Sequence, residues 1–172
     1  AQLLKPSHYI VIGAGTTTTQ VARELARLEQ KPMHITTNAL NIAMELALCP
    51  NLQVTCTGGD VRSDHYTLTG PVAERALRAH FYDAAVIGVS GITLNEGLTV
   101  NSQLDSIALQ IMIEQSQRLI VVADSGKIGE INFVRLAPLE KVDVFVTDRA
   151  AAPGFLRSLT DVGVEVVVAG AG

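Results

Sequence analysis

Gly13-Ala-Gly-Thr-Thr-Thr-Thr19 is the stretch whose residue types and spacing could do chemistry. An apolar run, Tyr9–Ile12, precedes it and a helical pattern follows. Strand, glycine turn, hydroxyl cluster and helix in that order is an arrangement that binds phosphate. Glycine lets the backbone turn tightly and approach an anion. The first-turn N–H groups of the helix point at the same spot, where the helix dipole favours negative charge. Thr16 and Thr17 can donate hydroxyls to an oxyanion or simply cap the helix. Two better-known phosphate loops do not fit. A P-loop needs Lys directly after its last Gly, where Thr16 stands. A dinucleotide fingerprint wants a third Gly at Thr18 and an acid about 20 residues on, where Met33 and His34 stand.

The elements that would position this loop follow from hydropathy. Apolar runs predict buried parallel strands at Tyr9–Ile12, Met33–Thr36, Gln53–Thr57, Ala84–Val89, Leu119–Ala123, Val142–Thr147 and Glu165–Ala169. Helical stretches separate them, with apolar faces at Val21, Leu25 and Leu28, at Leu40, Met44, Ala47 and Leu48, at Val72, Ala76 and Leu77, and at Ile107, Ile111 and Met112. A last helix covers Pro153–Thr160. The alternation predicts an α/β, Rossmann-like fold: a mostly parallel sheet of about six or seven strands with helices on both faces.

Ligands in such sheets sit beyond the carboxyl ends of the strands. There the chain places Gly15, Thr16 and Thr17, then Thr37 and Asn38, then Gly58 and Gly59, then Ser90 and Gly91, then Asp124-Ser-Gly-Lys127. Each tip alone could be only a turn. Their coincidence on one edge points to a shared pocket. Lys127 supplies charge and up to three donors to a phosphate, unless it is a solvated surface lysine. Asp124 is expected to neutralise or orient it. Thr37 and Asn38 offer hydroxyl and amide donors, or cap a helix. Gly58 and Gly59 leave room for a ligand, or make a tight turn. The long irregular stretch Gly88–Asn101 is of a length often found in lids and binding loops.

Composition narrows the function classes. A chain of 172 residues with 48% hydrophobic residues builds one globular domain with a real core. Thirteen basic against 17 acidic residues, a net charge of −4, argue against this chain itself holding a phosphate backbone. No apolar run approaches the roughly 20 residues that span a membrane. Cys49, Cys56 and the four histidines form no ligand cluster, so neither a metal nor any other cofactor is expected, and the thiols read as buried and reduced.

The ordered set Gly15-Thr-Thr17, Thr37-Asn38, Gly58-Gly59, Gly70, Ile87-Gly88, Gly91-Ile92, Glu96-Gly-Leu-Thr99, Met112-Ile-Glu114, Asp124 with Lys127 and Gly129, and Thr147-Asp148 resembles the effector-binding domain of DeoR-family bacterial transcriptional regulators. The resemblance covers nearly the whole chain. It implies a fold similar to ribose-5-phosphate isomerase, a phosphorylated-sugar effector, a cytoplasmic setting and a homo-oligomer. It also implies DNA contact only through an N-terminal winged helix-turn-helix, for which residues 1–172 show no counterpart. Three positions depart from the family pattern. Gly13 stands where Asp is usual, Leu109 near where Lys is usual, and Gly126 displaces the Ser of Asp-x-Ser-Lys.

Isomerisation of a sugar phosphate needs a base at the substrate carbon. The isomerases carry acids after the fourth strand, and Gly88-Val-Ser-Gly-Ile92 has none. The carboxylates near the site are Asp60, Glu96, Asp105 and Asp124, of which Glu96 could be a base or an exposed loop acid. No catalytic residue is assigned, and a sensor is expected. The alternatives are an isomerase-like enzyme and a ligand-independent oligomerisation module.

Overall fold

In the computed structural model, which describes residues 2–4, 7–27, 32–63 and 65–170, all seven apolar runs form strands. The elements in chain order are β1 (Tyr9–Ile12), α1 (Thr16–Arg27), β2 (Met33–Thr37), α2 (Leu40–Leu46) and β3 (Leu52–Cys56). Next come β4 (Asp60–Arg62), β5 (Thr67–Thr69), α3 (Pro71–Arg78), β6 (Ala84–Gly88), β7 (Gly91–Thr93) and β8 (Gly97–Val100). The chain continues through α4 (Gln103–Glu114), β9 (Leu119–Val122), β10 (Val134–Ala137), β11 (Val144–Thr147), α5 (Pro153–Asp161) and β12 (Glu165–Val168).

The main sheet has seven strands in the order β12-β11-β9-β6-β1-β2-β3, parallel at every pairing. Because side chains alternate along a strand, each run feeds both faces. Ile10 and Ile12 of β1 pack with Ala22 and Leu25 of α1 and Ile42 and Leu46 of α2. Val11 points the other way, into a core with Leu77, Ile111, Met112, Phe145 and Leu159. The strand order reverses at β1 and β6. A crevice forms there beyond the strand ends, since the connections leave toward opposite sides.

Two helix faces differ from the expected ones. In α2 the buried residues are Ile42 and Leu46, while Met44 and Leu48 are 74% and 87% exposed. This segment carries two apolar stripes. The helix begins directly after Ala39, and Ala39, Ile42 and Leu46 are the stripe that meets the sheet. In α3 the buried pair is Ala73 and Leu77, with Val72 half exposed. Leu28 lies outside the described residues.

Most of the residues read as one long loop, 88–101, instead build a β7–β8 hairpin, which β10 extends to a three-stranded antiparallel sheet. A second hairpin, β4–β5, stands apart from the main sheet. Cys49 is half-buried and Cys56 exposed, so the thiols are not the buried pair expected. Among the described residues no helix is long and apolar enough to cross a membrane. No group of three His, Cys, Asp or Glu residues there could hold a metal ion.

Candidate functional site

The crevice beyond β1 and β6 is a cavity of about 250 Å³. Its walls come from the loops after β1, β6 and β9, the β4–β5 hairpin and the start of α4. Of the residues singled out from the sequence, Gly15, Thr16, Thr17, Asn38, Ser90, Asp124 and Lys127 line it.

At one end the chain leaves β1 and turns into α1 at Gly15, whose φ of +152° favours glycine. The four threonines then divide. Thr18 and Thr19 both donate their hydroxyls to the carbonyl of Gly15, at 3.0 and 2.7 Å. Thr16 and Thr17 remain on the cavity wall. First-turn N–H groups have no partner inside a helix, so this end offers backbone donors and two hydroxyls together.

Lys127 reaches the same cavity from the turn after β9. It is half-buried and makes no ion pair among the described residues. Asp124 does not hold it. The Asp124 carboxylate instead accepts the N–H of Gly126 at 3.0 Å, shaping the turn. The turn is tied to the end of β11 by Asp148, whose Oδ2 accepts the N–H of Ser125 at 2.7 Å and whose Oδ1 accepts that of Ala150 at 2.8 Å. These bonds, the one from Ser125 foremost, hold the Asp148 carboxyl below its ordinary value, because they favour the charged form.

The opposite end carries residues that the sequence reading did not assign. His65 and Thr67 enter from the β4–β5 hairpin, and Asn101, Ser102 and Asp105 from the start of α4. Arg62 clasps the two together. Its Nη1 donates to Ser102 Oγ at 2.8 Å and to Asp105 Oδ1 at 3.0 Å. Ser102 also caps α4, accepting the N–H of Asp105 at 3.2 Å. Three-residue strands carry too little alternation to be read, which hid this hairpin. The capping pattern Ser102-Gln-Leu-Asp105 was visible in the sequence.

Asn38 lines the cavity but is already engaged. Its Oδ1 accepts the N–H of Ala14 at 3.2 Å, and its Nδ2 donates to the carbonyl of Leu68 at 3.3 Å. One side chain thus joins the glycine loop to the hairpin. Thr37 is fully buried behind the wall, donating to the carbonyl of Ile12 at 2.7 Å and accepting the N–H of Ala39 at 3.1 Å.

Four more candidates do not line the cavity. Gly58 and Gly59 form the turn into the hairpin; a Cβ on Gly59 would lie 2.5 Å from the carbonyl oxygen of Thr69. Gly91 is buried in β7, where a Cβ would lie 2.1 Å from the carbonyl oxygen of Glu130. Glu96 pairs with Arg135 on the outer hairpin.

Two departures from the family pattern prove to be neighbours. Leu109 lines the cavity, and a Cβ on Gly13 would lie 3.0 Å from its Cδ2. Leu109 is an apolar part of the cavity wall, and Gly13 is buried against it.

A parallel sheet with helices on both faces and a crevice at its switch point defines a doubly wound α/β domain. Comparison with known proteins places it more narrowly. The DeoR C terminal sensor domain model matches residues 1–149. The chain is 29% identical over 168 residues to the HTH-type transcriptional repressor GlcR of Bacillus subtilis, covering 98% of this chain and 64% of the relative. It is 30% identical over 164 residues to the HTH-type transcriptional regulator GlpR of Haloferax volcanii, covering 95% and 63%. With UlaR of Escherichia coli it is 30% identical over 169 residues, covering 97% and 64%. The chain therefore belongs to the DeoR family, as a sensor domain, and spans less than two thirds of the length of these relatives. They are named as regulators of transcription, not as enzymes.

Among solved structures, a chain of the tetrameric eIF2B-beta2-delta2 complex from C. thermophilum shares the fold, with a TM-score of 0.56 at 12% identity over 84% of this chain and 50% of that one. Ribose 5-phosphate isomerase from Plasmodium falciparum aligns at a TM-score of 0.48 and 14% identity over 70% and 45%.

Proposed function

We propose that this domain senses a singly phosphorylated sugar, or a related phosphorylated metabolite, in the cytoplasm, and so controls DNA binding by an attached helix-turn-helix domain. The observation that carries this reading is the convergence on one cavity of the α1 N-terminus, the Thr16 and Thr17 hydroxyls and Lys127, which makes no ion pair among the described residues. Backbone donors, a helix dipole and an ammonium together complement a dianion. The opposite end, with Thr67, Asn101, Ser102 and Asp105, offers donors and acceptors to sugar hydroxyls. A cavity of about 250 Å³ lies at the small end of ligand pockets and suits a monosaccharide phosphate better than a nucleotide.

The cavity is walled by several separate loops, so a ligand touching them all favours one arrangement over others. Its differential affinity for the two arrangements sets how far it shifts DNA binding. The loop after β6 brings Ser90 to the cavity, and the two carboxylates on its wall, Asp105 and Asp124, accept from Arg62 and from the N–H of Gly126, which suits binding better than proton transfer.

A thermal-shift screen of sugar phosphates beside their unphosphorylated sugars tests this reading. A ligand at 100 times its Kd stabilises by about 2.7 kcal/mol. At least one sugar phosphate should raise the melting temperature and its parent sugar should not. Equal shifts by both, or none by any, would remove the phosphate from the account.

A further inference from the structure

We infer that Asp148 is a positioning residue for phosphate: it touches no ligand, but it holds the turn that aims Lys127 into the cavity. The inference rests on the phosphate reading above. The turn at Ser125–Lys127 fixes its own shape. Lys127 donates its N–H to the Asp124 carbonyl at 3.0 Å, Gly126 donates to the Asp124 side chain at 3.0 Å, and Ile128 donates to the Ser125 carbonyl at 3.2 Å. None of these bonds sets where the turn sits relative to the sheet. The exit of the turn is tied to β7, where Ile128 bridges Ile92 and Gly129 donates to the Ile92 carbonyl at 2.9 Å, and its first residue is tied to the end of β11 by the bond from Ser125 N–H to Asp148 Oδ2, at 2.7 Å across 23 residues of sequence.

Asp148 is in turn held by its own loop, through the Ala150 N–H on its other oxygen at 2.8 Å. Both oxygens are therefore used, one for each loop. A lysine has a long stem and many rotamers, and a phosphate contact gains most when the backbone beneath it is fixed. Asp148 itself does not line the cavity. A neutral amide has one acceptor oxygen where the carboxylate has two, so Asp148→Asn can keep only one of the two bonds.

The test titrates inorganic phosphate into the whole chain at pH 7, with the amides of Gly15, Thr16 and Thr17 followed by NMR. Four proteins are compared with the parent: Lys127→Ala, Asp148→Ala, Asp148→Asn, and Lys127→Ala with Asp148→Ala. Lys127→Ala should weaken phosphate about tenfold or more, the loss expected for a hydrogen bond to a charged group. Asp148→Ala should weaken it about fivefold and Asp148→Asn less. The double variant should bind no more weakly than Lys127→Ala alone, because Asp148 acts only through that lysine.

A purely structural Asp148 would not give that dependence. If Asp148→Ala costs the same factor with and without Lys127, or costs less than twofold while Lys127→Ala is severe, the positioning role is wrong and the phosphate reading stands. If Lys127→Ala binds phosphate like the parent, or the parent binds none, the phosphate reading fails and the inference falls with it. Should Asp148→Ala not fold, the same comparisons are made with Asp148→Asn.

Discussion

Asn38→Ala should be felt first as a loss of stability, although Asn38 lines the cavity. Its side chain is 2% exposed and makes both bonds that join the glycine loop to the β4–β5 hairpin. Truncation strands the Ala14 N–H and the Leu68 carbonyl. A buried group left unsatisfied costs about 1–3 kcal/mol. Ala14 is half-buried and can recover water, and the two bonds, at 3.2 and 3.3 Å, are long. The sum is therefore about 2–4 kcal/mol. For a domain of this size each kcal/mol moves Tm by about 2–4 °C, so Tm should fall by about 5–15 °C. Equilibrium urea unfolding followed by circular dichroism gives the free energy. Amide exchange at Ala14 shows whether the lost bond is the cause, since that N–H should lose protection beyond the global change. A variant within about 0.5 kcal/mol of the parent, or one with Ala14 exchange unchanged, would refute the reasoning.

Other outcomes follow from single contacts. Thr16→Val with Thr17→Val removes two cavity hydroxyls and keeps the β-branched shape, so the fold should survive while affinity for a sugar phosphate, measured by calorimetry, falls by about 1–2 kcal/mol, or roughly 5- to 30-fold. Gly59→Ala places a Cβ 2.5 Å from the Thr69 carbonyl at a φ of +112°. It should cost about 2–5 kcal/mol in urea unfolding, from left-handed strain plus the forced shift. Asp148 has a carboxyl pKa lowered by its backbone hydrogen bonds. Its contribution to stability is present above the unfolded value of about 3.9 and lost as pH falls through the lower folded value. The melting temperature of Asp148→Asn should therefore decline less than the parent's on acidification below about pH 4.

The main sheet was legible because parallel strands buried on both faces read as continuous apolar runs, and residues 10–12 and Leu119–Val122 are short β-branched or leucine runs bounded by turn residues. Helix faces were less legible where two apolar stripes compete. Leu40, Met44 and Leu48 are spaced as well as Ala39, Ile42 and Leu46, and only the connection from β2 selects between them. The glycine loop and Lys127 were placed on one cavity because strand tips share an edge in any parallel sheet. His65 and Thr67 belong to that cavity for a reason outside local pattern. A hairpin of two three-residue strands folds back over the crevice and is clasped to α4, far along the chain. Thr37 shows the converse. A hydroxyl at a strand tip can be wholly committed to the backbone behind the wall, and its type and spacing do not reveal which.

The central claim is the placement of the phosphate, and a crystal structure with the sugar phosphate of highest affinity tests it most directly. The phosphate oxygens should lie within hydrogen-bonding distance of the backbone N–H groups of Thr16 and Thr17 and of Lys127 Nζ, with the sugar toward Ser102 and Asp105. A phosphate bound at the Asp105 end, or outside this cavity, would contradict the account.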